Sequence, residues 1–331
     1  MAQMLSSRSI QLVASALIML VAQAGAHAQR YPERSVRLIV PFQAGGAVDT
    51  TARIVSERLS ENLGQPVIVE NRVGAGGTIG TSLVAKASPD GYTLLFGVLG
   101  PLGLAPSLYA KLPYDPAADF APVALIAFYP NTLLISRDAP FKSVKELIAA
   151  ARAHPGGFSY ATGGSGTILH LSAELFSKMA NIKMVHIPYK GGLAAMPDVL
   201  AGRVPILFAN IGLAVPHVNS DKIAVLATTG RAKSRSPLLP NVPTLAEAAD
   251  LPGYETYDWF GILAPAGTPQ PVIAQLHREV TRILQAPEVA KKLADQGAQP
   301  VAKTPVEFGD FLRSEIVKWG EVIKFSGARL D

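Results

Sequence analysis

The chain has 331 residues, 49% of them apolar and 17% charged, which suits one large or two ordinary globular domains and excludes a disordered polypeptide. A formal charge of +5 without a long basic run favours anionic small molecules weakly and argues little for nucleic acid. With no cysteine in the chain, disulfides, thiolate metal sites and lipid attachment through a cysteine are excluded.

The N-terminus reads as a secretory signal. Arg8 supplies the positive start, residues 10–22 (IQLVASALIMLVA) the apolar stretch, and Ala26-His27-Ala28 a small-residue cleavage site. The apolar stretch is too short to span a bilayer, which takes roughly 20 residues. Cleavage after Ala28 predicts an exported chain that starts at Gln29 and does not itself span the membrane.

Residues 36–42 (VRLIVPF) predict the first strand, and Asp49 is placed to cap the helix behind it. That helix carries Ala52, Val55, Leu59 and Leu63 at helical spacing. Residues 65–70 (QPVIVE) predict a second strand, followed by a glycine-rich loop at 71–78 and a helix through Leu83 and Ala85. The turn Pro89-Asp90-Gly91 precedes a third strand at 92–98. Strands alternating with helices predict a parallel α/β sheet. A second unit starts near Pro130, with a strand at 132–136 and a helix opened by a Ser143/Glu146 capping box. Further strands follow at 184–188, 205–210 and 223–228, with a helix to Leu200 and a solvated loop at 231–243. From Tyr254 the chain returns through an extended apolar run at 259–267 and a helix at 271–284. A last helix, to about Phe325, opens with a Thr304/Glu307 capping box and Pro305 at its first position. The layout predicts two lobes, residues 29–128 with 255–331 and residues 129–254, hinged at two crossovers with a ligand between them.

Two segments, residues 36–59 (VRLIVPFQAGGAVDTTARIVSERL) and 158–176 (FSYATGGSGTILHLSAELF), are built alike: a strand, a diglycine loop, then a helix. A helix that starts at such a loop has unpaired N–H groups and the positive end of its macrodipole there, which suits an anion. Two such sites in two halves describe a cleft that grips a carboxylate from both sides.

Catalytic motifs nearly form and fail on a residue. Gly163-Gly164-Ser165-Gly166-Thr167 departs from the G-x-S-x-G elbow at Thr167, which leaves a secreted serine hydrolase using Ser165 as an alternative. Gly74-Ala75-Gly76-Gly77-Thr78-Ile79 has isoleucine where a dinucleotide loop needs its third glycine, and no P-loop lysine occurs. The histidines show no metal-binding spacing. His170, one turn beyond the second loop, reads as a capping or packing histidine. The residues therefore predict binding without catalysis, cofactor or metal.

The chain resembles the extracytoplasmic receptors of tripartite tricarboxylate transporters, also called Bordetella uptake gene proteins. The resemblance rests on Tyr31-Pro32, PFQAGGAVDTTAR, VENRVGAGGTIG, SPDGYTLLFG, YATGGSGTILHLSAELF, HIPYKGG, PNVPTLAEA and WFGILAPAGTP in this order. It implies an α/β, two-lobed periplasmic binding fold of type II-like form. Each lobe would be a mainly parallel sheet flanked by helices, with the ligand cleft between lobes. It further implies a small carboxylate ligand, held by backbone amides, small hydroxyls and water, and delivery to the large and small membrane subunits of such a transporter. A monomer is expected. A receptor that feeds a sensor kinase is the alternative within binding proteins. Carried onto this chain, the first loop would supply Phe42, Gln43, Gly45, Gly46 and Ala47, with Asp49 as cap and compatible ligand contact. The second loop would supply Thr162, Gly163, Gly164, Ser165, Gly166 and Thr167. Leu99, Gly100, Tyr189, Asp198 and Asn210 are further candidates. The first loop departs from the family at Gln43 and Ala47, which changes polarity and room beside the carboxylate.

Overall fold

The computed structural model describes residues 31–231 and 233–330, so the signal segment lies outside the described residues. The first βα units are β1 (Val36–Val40), α1 (Ala47–Leu63), β2 (Val67–Asn71), α2 (Thr78–Ala85) and β3 (Thr93–Val98). After β3 the chain makes a wide helical turn at Gly100–Leu104 that runs into the short α3 (Ala105–Leu108). A long strand, β4 (Phe120–Ser136), then leads to α4 (Val144–Ala153), β5 (Ser159–Thr162), α5 (Ile168–Ala180), β6 (Val185–Pro188), α6 (Gly192–Leu200) and β7 (Ile206–Asn210). The short α7 (Ile211–Ala214), β8 (Ile223–Thr228) and α8 (Leu245–Ala249) precede the return through β9 (Tyr257–Pro265). The chain finishes with α9 (Gln270–Gln285), α10 (Pro287–Ala294), β10 (Gln299–Lys303) and α11 (Pro305–Ser326).

The sheet order is β2-β1-β3-β9-β4-β7-β5-β6, with β10 and β8 also paired to β4. Pairing is parallel within β2-β1-β3 and within β7-β5-β6. It is antiparallel wherever β4 or β9 takes part. The sheets are therefore mixed, not mainly parallel. The returning β9 enters from the opposite end and runs against both of its neighbours, and β4 opposes all of its own.

The strand expected at 132–136 is only the last part of β4. Residues 120–130 of β4 pair with β9, and from Asn131 onward the same strand pairs with β7 and β8. Register shifts occur at Pro122/Ala124 and Leu125/Ala127, the first of them at a proline. Where β4 changes partners, Thr229 joins the two chain crossings. Asn131 N–H donates to Thr229 Oγ1 (3.0 Å), Thr229 N–H to Asn131 O (2.8 Å), and Thr229 Oγ1 to Thr256 O (2.8 Å).

Side-chain alternation distributes the strands between two covered faces, which is why they read as continuous apolar runs. On β9, Phe260 and Ile262 pack with Ala52, Val55 and Leu59 of α1 and with Ile273, Leu276 and Val280 of α9. Trp259 and Leu263 face the other way, with Phe308, Leu312 and Trp319 of α11. The Trp259 and Phe308 rings meet edge to face at 5.7 Å. Gly261 makes this approach possible, because a Cβ there would stand 2.5 Å from the Phe308 ring. A third cluster packs Ala195, Met196 and Val199 of α6 on Leu207 and Ala209 of β7.

Local signals are largely realised. Thr304 and Glu307 form both bonds of a capping box. At α4, Ser143 Oγ accepts from Glu146 N–H, but the Glu146 carboxylate reaches the Lys142 N–H instead of Ser143. Asp49 differs from expectation: Gly46 is the N-cap of α1, and Asp49 sits inside the first turn.

Candidate functional site

The two glycine loops open onto one cavity of about 680 Å³, within the range usual for small-ligand sites. Of the residues singled out in the sequence, Phe42, Ala47, Gly100, Gly163, Ser165, Gly166, Thr167 and Asn210 line it. Gln43, Gly45, Gly46, Asp49, Leu99, Thr162, Gly164, Tyr189 and Asp198 lie outside its lining.

The residues behind the lining hold the loops in shape. The Asp49 carboxylate accepts from Gly45 N–H, Arg53 Nε and Asn71 Nδ2, each at 2.9 Å. Asn71 Nδ2 also donates to Phe42 O, so both ends of the first loop are tied to one side chain. Burial pushes the Asp49 carboxyl up, but Arg53, the Gly45 amide and Asn71 outweigh it and hold the group down to about 2. No side chain caps α1, which leaves the N–H groups of its first turn open beside Ala47 and Val48.

The second loop rests on a polar stack. Gly166, at φ 72°, donates its N–H to Nδ1 of His170 at 3.2 Å. His170 lies parallel to His186 with ring centroids 4.0 Å apart, and His186 Nε2 bonds Thr162 Oγ1 at 2.7 Å. His170 Nε2 lies 3.9 Å from Glu174, which accepts from the Tyr160 hydroxyl. Burial holds the His170 imidazole down to about 4; burial and then His170 do the same for His186, also about 4. Both rings are therefore neutral at pH 7, and the stack is a framework without charge on its histidines. Thr167 caps α5, accepting from His170 N–H and donating to Gly164 O. Ile168 and Leu169, whose amides belong to the same first turn, line the cavity.

A third helix start completes the group. Gly191 and Gly192 open α6 without a side-chain cap and also line the cavity. Gly191 N–H donates to Gly163 O at 3.3 Å, which ties this start to the second loop. Tyr189, the residue noticed in the sequence, instead donates its hydroxyl to Asp198 at 2.7 Å, and Asp198 pairs with Arg203 at 3.1 Å.

Between these helix starts the walls are apolar, from Phe42, Leu104, Leu108 and Phe260. Leu330 closes one side: its side chain lies against Gly166, and its N–H donates to Leu108 O at 3.1 Å. Two polar side chains come from strand ends. Asn210 Nδ2 donates to Asn131 Oδ1 at 3.0 Å, and Asp258 stands on β9 beside Phe260. Burial raises the Asp258 carboxyl to about 7, with Asn131 opposing the shift only in part. No lysine, arginine or histidine is among the described lining residues.

The sequence reading missed Asp258 and Leu330, and of the turn that opens α6 it singled out Tyr189 where Gly191 and Gly192 line the cavity. The Gly-Gly of HIPYKGG resembled the two recognised loops and was the one available signal. Among the described residues, no three His, Asp or Glu side chains gather as a metal would need, and no helix is long and apolar enough to cross a membrane.

Residues 51–328 match the family model described as "Tripartite tricarboxylate transporter family receptor". The protein BugT of Bordetella pertussis is 38% identical over 304 residues, 92% of either chain. The structure described as "R. palustris Rpa4515 with adipate" is 38% identical, covers 91% of this chain and all of its own, and superposes with a TM-score of 0.75. MatC of Rhodopseudomonas palustris with bound malate is 35% identical, covers 88% of this chain and all of its own, with a TM-score of 0.71.

Proposed function

The chain belongs to the receptor family of tripartite tricarboxylate transporters, and from that premise we propose that its cavity takes up a small organic carboxylate for delivery to a membrane transporter. The observation that carries this reading is the meeting of three uncapped or loop-fed helix starts, those of α1, α5 and α6, on a cavity without a cationic side chain among its described lining residues. Each start offers N–H donors and the positive end of a helix dipole. At up to about 2 kcal/mol for each partly buried terminus, three give about 6 kcal/mol. Micromolar binding takes about 8 kcal/mol. The difference has to come from apolar contact and desolvation, which closure around Phe42, Leu104, Leu108 and Phe260 provides.

Closure is a rotation of residues 29–128 with 255–331 against residues 129–254, about the crossings joined by Asn131, Thr229 and Thr256. The signal segment ending at Ala28 exports the chain to the periplasm. The large and small membrane subunits of the transporter are its partners, and it acts as a monomer.

Hydrolysis through Ser165 is disfavoured by the stack. His170, one turn beyond the loop, accepts from the Gly166 amide at Nδ1 and turns Nε2 towards Glu174, so neither nitrogen is turned to Ser165. The test of the reading is thermal unfolding of the mature chain against small mono-, di- and tricarboxylates, with an ester panel beside it. A ligand at 100 times its Kd adds about 2.7 kcal/mol, a rise of several degrees. Ester turnover lost on Ser165→Ala, with no carboxylate raising the midpoint, would contradict it.

A further inference from the structure

The cavity is chemically polarised. The helix starts present backbone donors, whereas the ends of β7 and β9 present acceptors. Asn210 spends its Nδ2 on Asn131 Oδ1, which leaves its own Oδ1 as the free polar atom of that side chain. With Oδ1 so used, the Asn131 amide turns its Nδ2 towards Asp258. That nitrogen is buried and meets no acceptor at hydrogen-bond distance, and Asn131 itself is 1% exposed. Asp258 is the one acidic side chain among the described lining residues, and no basic side chain accompanies it there.

Tyr129 lies opposite Asp258 in the β4–β9 register, but its hydroxyl is bonded to Thr51 at 2.6 Å. Among the described residues Asp258 thus has no cationic partner, and the Asn131 amide stops short of a hydrogen bond to it. A half-buried acid without a partner is costly, and the fold tolerates it beside the cavity that it lines. A ligand carboxylate placed against Asp258 would meet a like charge. A ligand ammonium there would meet two acceptors.

We propose that Asp258 sets the specificity of the cavity and selects a carboxylate that also carries a positively charged nitrogen, with the carboxylate at the helix starts and the ammonium at Asp258 and Asn210 Oδ1. The inference rests on the carboxylate reading and narrows it to a substrate class. Asp258 acts here as a charge partner, and Asn131 positions it.

The experiment is calorimetric titration of the mature chain with five-carbon probes that differ in one group: pentanoate, glutarate, 2-aminopentanoate and 5-aminopentanoate. Four- and six-carbon ω-amino acids and dicarboxylates extend the series in length. The wild-type chain is expected to bind an amino-bearing member at least about tenfold tighter than the dicarboxylate of equal length, the scale of a hydrogen bond to a charged group. Asp258→Asn should abolish that preference while the variant keeps its circular dichroism spectrum and a cooperative unfolding transition. Asn131→Ser tests the positioning role separately, and should reduce the preference without removing it. Dicarboxylates binding as tightly as amino-bearing probes, with no change in Asp258→Asn, overturn the proposal and leave the carboxylate reading standing. If no probe of either kind binds, both fail together.

Discussion

Gly166 donates its backbone N–H to Nδ1 of His170, one turn along the helix that follows it. The second loop is thus shaped from below by a side chain of its own helix, and the Gly166 amide is not among those left for a ligand. Replacing His170 by alanine leaves that buried N–H unpaired, a cost of about 1–3 kcal/mol. We expect His170→Ala to unfold at a lower denaturant midpoint and to bind carboxylate more weakly. Unchanged affinity in a clearly destabilised variant would mean that the loop keeps its shape without the bond.

The stacked histidines predict an acid-side loss of stability. His170 and His186 are both held down to about 4 in the folded chain, by burial first in each case. Their ordinary value is near 6.5, so the unfolded chain binds more protons between those limits. Stability from this pair is complete above about pH 6.5 and is lost as pH falls towards 4. His186→Gln, which can still bond Thr162, should flatten that slope in unfolding midpoints measured from pH 7.5 to 4.5. An equally steep slope in the variant would place the acid sensitivity elsewhere.

Asp258 acts in the opposite direction. Its carboxyl is raised by burial to about 7 from an ordinary value near 4. The folded chain therefore binds more protons in that window, and stability falls as pH rises through it. Without ligand, Asp258→Asn should be more stable than the wild-type chain at pH 8, with the advantage shrinking towards pH 4. The measurement is the difference in unfolding midpoint between the two chains at several pH values. A difference independent of pH would show that Asp258 titrates near its ordinary value in the folded chain.

Asp49 fastens the first loop through Gly45, Arg53 and Asn71. Asp49→Ala removes these bonds together and leaves Asn71 Nδ2 with Phe42 O alone. Because Arg53 is half exposed, we expect a loss of about 1–3 kcal/mol, below that of a fully buried ion pair. Affinity should fall with it, since the α1 amides lose their support. Holding the group down to about 2 also means that this stability is present above about pH 4 and disappears as pH falls through 2. Denaturant titrations of the two chains at pH 7 and pH 3 check both statements.

Much of this was legible in the sequence because it is local. The strand, diglycine and helix order at residues 36–59 and 158–176 reappears as β1–α1 and β5–α5, and the Thr304/Glu307 pair reappears as a capping box. What depends on contacts distant in the chain was not legible. The apolar run of β4 gives no sign that one strand serves two sets of partners, because both its halves are buried. The resemblance makes Tyr189 and Asp198 cleft candidates, but the Tyr189 hydroxyl, from the turn before α6, donates to Asp198 within that helix and the two satisfy each other. Nothing in the local sequence around Asp258 marks it out. Only the pairing of β9 with β4 brings it beside Asn131 and onto the cavity. Leu330 reaches Gly166 only when the last helix has packed.

The most direct measurement is a ¹H–¹⁵N correlation spectrum of the mature chain, titrated with whichever carboxylate stabilises it most. The account predicts the largest amide shifts at Ala47, Val48, Thr167, Ile168 and Gly192, the starts of three helices separated in sequence. Shifts concentrated on surface lysines and arginines, or on one helix start alone, would contradict it.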